Sequence, residues 1–408
     1  MLDIQAVRSQ FPALALADDG RPRVYLDNPG GTQVAQRVID RTVGYLINTN
    51  ANGGGVFRTS VASDALLDEA HAAMADLLGA RSWREIVFGQ NMTTLTMAMS
   101  RTLGQRFKPG DEIVVTRMDH DANISPWLLL ARDLELTIRW LPFDTATFRY
   151  DLDEYRSLLS ERTALVAINY ASNALGTINP VREMCRAAAE VGALSYVDAV
   201  QYVPHGVTDV QDIGCDFLVC SAYKFFGPHQ GILYGREALL AELPAYKVRP
   251  ADDALPIRHE TGTLSHEGIA GTLGTVEYIE SLGEGADRRA RIVDAMTRID
   301  AYERELCGRL IEGLKSIEGV RVFGLPAGGG RVPTVIADVG GLPAREVASR
   351  LSEHNVFVWD GDYYAMEVIR ALGYGDRGGL LRIGLSHYNT AAEVDLVLEV
   401  LSSIPALA

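Results

Sequence analysis

The first residue in this sequence whose type and position suggest chemistry is a lysine at the end of an apolar run. Cys215-Asp216-Phe217-Leu218-Val219-Cys220 reads as a buried strand, and Ser221-Ala222-Tyr223-Lys224-Phe225-Phe226-Gly227-Pro228 carries Lys224 out of it. An amine held partly away from water loses its proton more readily than a solvated lysine, and can act as a nucleophile toward an aldehyde. A second strand-like run, Ala193 to Gln201, puts Asp198 at its carboxyl end, where parallel α/β sheets present their ligand-binding groups. A carboxylate there is suited to keeping a pyridinium nitrogen protonated. Amine and carboxylate together predict a site for pyridoxal phosphate, whose ring accepts electrons while that nitrogen keeps its proton.

These groups need elements to position them. Glu85-Ile86-Val87-Phe88-Gly89 reads as a strand, Gln90-Asn91 as a turn, and Met92 as the start of a helix. Backbone amides and hydroxyls converge at such a start, so Met92, Thr93 and Thr94 suit an anion such as phosphate, with an ordinary Asn or Thr helix cap as the alternative. The strand Asp111 to Thr116 leads into Asp119-His120, and His120 is the candidate ring to lie against the cofactor. Apolar residues at helical spacing predict helices over 62–78 and, with Ile292, Met296, Ile299, Tyr302, Leu306 and Leu310, over about 284–318. Strand and helix signals then alternate through 321–339 and 345–357, as in a compact α/β unit.

Length and composition set the frame. The 408 residues are 47% hydrophobic and 22% charged, enough for a large core and an expected division into two domains, and no apolar run approaches the ~20 residues of a membrane span. A net charge of −15 argues against nucleic acid and anionic membranes as partners. The first residues have no basic flank and apolar core of a signal peptide, which leaves the cytoplasm as the expected compartment. Cys185, Cys215, Cys220 and Cys307 show no metal-type spacing; they read as small buried residues, and no metal is expected.

Asp198-Ala199-Val200-Gln201, Ser221-Ala222-Tyr223-Lys224 and the segment Ser172-Asn173-Ala174-Leu175-Gly176-Thr177 together resemble the cysteine desulfurase-like branch of the class V aminotransferases. The similarity covers nearly the whole chain. It implies an α/β fold of the fold-type I pyridoxal-phosphate transferases, with a large domain built on a mostly parallel seven-stranded sheet flanked by helices and a smaller C-terminal α/β domain. The expected boundaries are an N-terminal segment 1–30, a cofactor-binding domain 31–283, and a connector helix with the small domain at 284–408.

The same resemblance implies roles. Lys224, Asp198 and His120 are the catalytic set, with Lys224 forming the Schiff base. Asn173 and Gln201 serve the ring oxygen, Ser221 the phosphate, and Tyr223 stands where the family usually has histidine. Ile257 to Thr263 matches a motif whose last threonine, Thr263, reaches the phosphate of a partner subunit, so a homodimer with shared active sites is expected. Leu380-Leu381-Arg382-Ile383-Gly384 matches the segment whose arginine grips a substrate α-carboxylate, and the turn containing Asn28 lines the substrate entrance.

One departure governs the functional expectation. Trp359 to Glu367, corresponding to the mobile loop of desulfurases, contains no cysteine, and Tyr364 stands where the thiol should be. A phenol with an ordinary pKa of about 10 cannot replace a thiolate as sulfur acceptor. The expected activity is therefore C–S cleavage of an amino acid by β-elimination through an external aldimine, with Tyr364 in the substrate pocket. Aminotransferase or epimerase action, a conventional desulfurase using Cys220, and a non-catalytic scaffold are the alternatives.

Overall fold

A computed structural model describes residues 2–404. Its centre is a seven-stranded sheet of Ile86–Gly89 (β1), Glu112–Thr116 (β2), Thr137–Leu141 (β3), Thr163–Asn169 (β4), Leu194–Asp198 (β5), Phe217–Ser221 (β6) and Gly231–Gly235 (β7), in the order β1-β7-β6-β5-β4-β2-β3. The pairs β2/β3, β2/β4, β4/β5 and β5/β6 are parallel, and β7 runs antiparallel to both of its neighbours. Every residue of β6 is buried, which is why its sequence is a continuous apolar run rather than an alternating one.

The two sheet faces bury different sets of side chains. Val87, Val115, Tyr196, Phe217 and Val219 pack with Met92, Leu95, Met99 and Leu103 of the helix Met92–Gly104 (α3). On the other face Ile86, Val114, Val197, Leu218 and Cys220 pack with Met74, Leu77 and Leu78 of Arg58–Leu78 (α2) and with Ile269, Leu273 and Val276 of His266–Glu280 (α6). Gln36–Asn48 (α1) packs on α6, while Ser125–Leu134 (α4) and Val181–Glu190 (α5) complete the flanks.

The helix expected over 62–78 begins four residues earlier, at Arg58. The long helix is Arg288–Ser316 (α7), started by the Asp287 side chain, which accepts from Ala290 N at 2.8 Å. It buries Ile292, Met296 and Ile299 against the large-sheet core, and Leu306, Leu310 and Leu314 in a second core. That second core belongs to a four-stranded sheet of Val320–Phe323 (β8), Thr334–Val339 (β9), Trp359–Gly361 (β10) and Leu380–Gly384 (β11), ordered β8-β9-β11-β10. Ala344–Ser352 (α8) and Ala391–Ser402 (α9) pack against it.

Val356-Phe357, read as part of that α/β alternation, pairs instead in parallel with Val24-Tyr25 near the N-terminus. The N-terminal segment then continues beside β11: Gly384 N donates to Leu26 O at 2.7 Å, and Asp27 bridges to Gly384. This pairing brings residues 26–30 to the site. No helix among the described residues is long and apolar enough to cross a membrane.

Candidate active site

A cavity of about 250 Å³ opens at the carboxyl ends of β4, β5 and β6. Its walls bring together Lys224, Asp198, His120, Met92, Thr93, Asn173, Gln201, Tyr223, Tyr364 and Arg382, ten of the residues singled out in the sequence.

Lys224 ends a single 3₁₀ turn, Ala222–Lys224, that follows β6 directly. Its Nζ donates to Pro29 O at 2.5 Å and Gly30 O at 3.0 Å. Burial, reinforced by the Arg382 charge and opposed by Asp27 and Asp198, brings the amine down to about 7. Asp198 ends β5 with Oδ1 accepting from Val200 N at 2.9 Å, and burial pushes its carboxyl up to about 6. His120 accepts at Nδ1 from Ala122 N at 3.0 Å, and burial with the Lys224 and Arg382 charges lowers it to about 4, so its ring is neutral.

Arg382, on β11, is 4% exposed. Its Nη2 lies 3.0 Å from Asp27 Oδ1, its Nη1 donates to Asn173 O at 3.3 Å, and its guanidinium carbon is 4.6 Å from the centre of the Tyr363 ring. Its Nε has no partner. Asn173 donates from Nδ2 to Tyr363 O at 2.9 Å while its buried Oδ1 has no partner. Gln201 donates to Thr334 Oγ1 at 3.1 Å, and the Tyr223 ring stacks on His229 at 4.8 Å.

Four expected residues lie outside the cavity wall. Thr94 is taken up by the start of α3: Asn91 Oδ1 accepts from Thr94 N at 2.9 Å, and Thr94 Oγ1 accepts from Asn91 N at 3.3 Å. Ser221 Oγ accepts from Met92 N at 3.0 Å, a bond that ties β6 to the same helix start. Thr263 is exposed and shares a neighbouring groove with Thr94, His229 and Gln230. The Asn28 side chain is buried away from the cavity, donating to Gly384 O at 2.8 Å and to Asn389 Oδ1 at 3.1 Å and accepting from the Tyr388 hydroxyl. Asn28 therefore does not line the entrance; Asp27, its neighbour, does.

Asp27, Asn169, Trp359 and Tyr363 also line the cavity. The signal for Asp27 was a period of two: in an extended segment adjacent side chains face opposite ways, so one of Asp27 and Asn28 had to face inward. Tyr363 and Tyr364 both have φ of 56°, a left-handed pair that turns the segment after β10 over the cavity. The Tyr364 ring sits 5.4 Å from that of His120, inclined by 33°, and Tyr364 O accepts from Asp121 N at 2.7 Å.

The four cysteines are free and buried, and none lines the cavity. Cys220 packs with Leu218 on the sheet face opposite Val219, and burial drives its thiol far above the ordinary range. A phosphorylated pyridine with an aldehyde fits the remaining donor set. Lys224 supplies a near-neutral amine, Asp198 a buried carboxylate, Met92 and Thr93 a helix N-terminus, and Asn173 Oδ1 an unpartnered polar atom.

Comparison with known proteins agrees with this arrangement. The sequence profile described as Aminotransferase class-V matches residues 24–397. The "Aminotransferase-like protein FGM3" of Gibberella zeae is 35% identical over 414 residues, covering 98% of each chain. A "Probable cysteine desulfurase" of Synechocystis sp. is 34% identical over 97% of this chain and 94% of its own. Among solved structures, the apo cysteine desulfurase of Thermococcus onnurineus NA1 superposes with a TM-score of 0.89 at 29% identity, over 98% of both chains.

Proposed function

This chain belongs to the class V aminotransferase family and is a pyridoxal-phosphate enzyme, and we propose that it cleaves the C–S bond of a sulfur-bearing amino acid by β-elimination without forming a protein persulfide. The observation that carries the proposal is the absence of any thiol from the cavity wall: Trp359, Tyr363 and Tyr364 close that side, and the four cysteines lie elsewhere.

Pyridoxal phosphate held by Lys224 would supply an electron sink for charge developing at the substrate α-carbon. Lys224, Asp198, His120, Met92, Thr93, Asn173, Gln201 and Tyr223 would hold it. Arg382 grips the substrate carboxylate. Lys224 Nζ would take the substrate α-proton; its near-neutral pKa suits both accepting and returning that proton. Asp198 keeps a proton on the ring nitrogen. With L-cysteine as substrate the C–S electron pair would leave with sulfur, and the three-carbon enamine would hydrolyse to pyruvate and ammonia.

The proposal keeps a homodimer as the working unit. Exposed Ile39, Val43, Leu46 and Ile47 on α1, with Val56, Phe57 and Val61, support an apolar contact with a second copy. It also keeps the division into 1–30, 31–283 and 284–408, supported by the separate core around β8 to β11. Amino-group transfer or epimerisation is the second reading, favoured by the 35% identity to an aminotransferase-like protein.

The test is to supply purified holoenzyme with L-cysteine or L-cystine and measure pyruvate, alanine and sulfide together. Pyruvate with sulfide or persulfide supports β-elimination. Alanine with sulfur release overturns it and restores desulfuration, and no product from either substrate moves the assignment to the second reading.

A further inference from the structure

The Asp27–Arg382 pair carries a consequence for substrate binding that rests on the reading of Arg382 as the carboxylate grip. A buried guanidinium with no anion is costly, and Asp27 is the one carboxylate within ion-pair distance of Arg382 among the described residues. The partner is well placed. Its backbone is fixed by the Leu26–Gly384 hydrogen bond and the bridge to Gly384, and its carboxylate accepts from Arg382 Nη2 and from the Gly30 backbone amide. A Cβ on Gly30 would fall 2.3 Å from Asp27 Oδ2, so glycine there leaves room for the carboxylate.

A substrate carboxylate arriving on Arg382 meets a guanidinium already occupied at Nη2 and free at Nε. A bidentate hold needs two adjacent donors, and the Nε–Nη2 edge is the one Asp27 half covers. With both carboxylates present, two negative charges face one guanidinium that is 4% exposed. The other cation in reach of Asp27 is Lys224, whose charge already acts on it.

We infer that Asp27 stands in for the substrate carboxylate on Arg382: it holds the guanidinium in its receiving orientation while the site is free of substrate, and gives up that position when substrate binds. Asp27 is thus a positioning residue that competes with substrate. It favours ligands whose carboxylate outbids its own, which selects amino acids with a free α-carboxylate over amides and esters.

The experiment uses holoenzyme and propionate, a carboxylate without an amine, titrated by the change in the cofactor's visible band. Wild-type enzyme binds propionate and Arg382→Ala does not. Asp27→Asn, which keeps the shape and removes the charge, binds it at least fivefold more tightly, and KM for the amino-acid substrate falls in parallel while kcat moves independently. Weaker or unchanged propionate binding in Asp27→Asn overturns the inference and leaves Arg382 as the grip. Binding indifferent to Arg382→Ala overturns the reading of Arg382 itself, and the inference with it. Should Asp27→Asn fail to load cofactor, Asp27→Ser is read by the same titration.

Discussion

Asn173 Nδ2 lies 2.9 Å from the main-chain oxygen of Tyr363, so a residue at the base of the cavity ties down the segment that covers it. Asp121 N makes a second such tie, to Tyr364 O at 2.7 Å. In desulfurases, by the resemblance drawn above, this stretch is a mobile loop. Here both its tyrosines hold left-handed backbone conformations, and such strain persists only where surrounding contacts impose it.

Removing the Asn173 tie should free the segment. In Asn173→Ala, amide hydrogen exchange over 359–366 should accelerate by roughly fivefold, as expected for a lost hydrogen bond of about 1 kcal/mol, and turnover should fall with it. Unchanged exchange would show that the Asp121 bond alone is sufficient.

Lys224 must be neutral to attack an aldehyde. With its amine brought down to about 7, loading of cofactor-free enzyme with pyridoxal phosphate should speed up as pH rises through about 7 and level off above it. Arg382 lowers that pKa, so Arg382→Ala should move the midpoint upward. Lys224→Ala should lose the cofactor band's response to substrate, and turnover by about 10²–10⁴-fold or more.

Asp198 is held for function at a cost in stability. Burial raises its carboxyl from 3.8 to about 6, so above pH 6 the folded protein holds buried a charge that the unfolded chain carries in water at less cost. The penalty is absent below 3.8, where folded and unfolded forms are both protonated, and complete above about 6. Two pKa units correspond to roughly 3 kcal/mol. Cofactor-free Asp198→Asn should therefore be more stable to urea at pH 7.5 by up to that amount, with the advantage fading as pH falls toward 3.8. Its turnover should drop by at least about a hundredfold.

Glu303 on α7 meets His205 Nδ1 at 2.7 Å, with both side chains almost fully buried. The bond joins the turn after β5 to the long helix. Glu303→Ala leaves the imidazole without its acceptor, and should lower stability by roughly 3 kcal/mol, read as a shift in the urea midpoint.

Ile47 is 75% exposed on the apolar side of α1. An aspartate there would bury a charge if this face meets a second copy. If the proposed dimer forms through this face, Ile47→Asp should halve the mass seen by sedimentation and weaken cofactor retention. An unaltered mass would place any dimer contact elsewhere.

What the sequence determined by itself was local in origin. A strand buried on both faces must be apolar throughout, so β5 and β6 were legible, as were Asp198 at the end of one and Lys224 just beyond the other. The start of α3 was legible for the same reason, because an Asn-initiated first turn satisfies its own amides.

The tertiary structure decided what depended on distant pairing. Asp27 faces Arg382 across 355 residues, and Asn173 reaches Tyr363 across 190; neither choice is encoded near either residue. The alternation through Leu26-Asp27-Asn28 required neighbours to point apart, but only pairing with β11 settled that Asp27 faces the cavity and Asn28 the core. Cys220 followed the same rule. Its position before Lys224 left both faces open, and the packing of β6 turned it toward Leu218 and away from the chemistry.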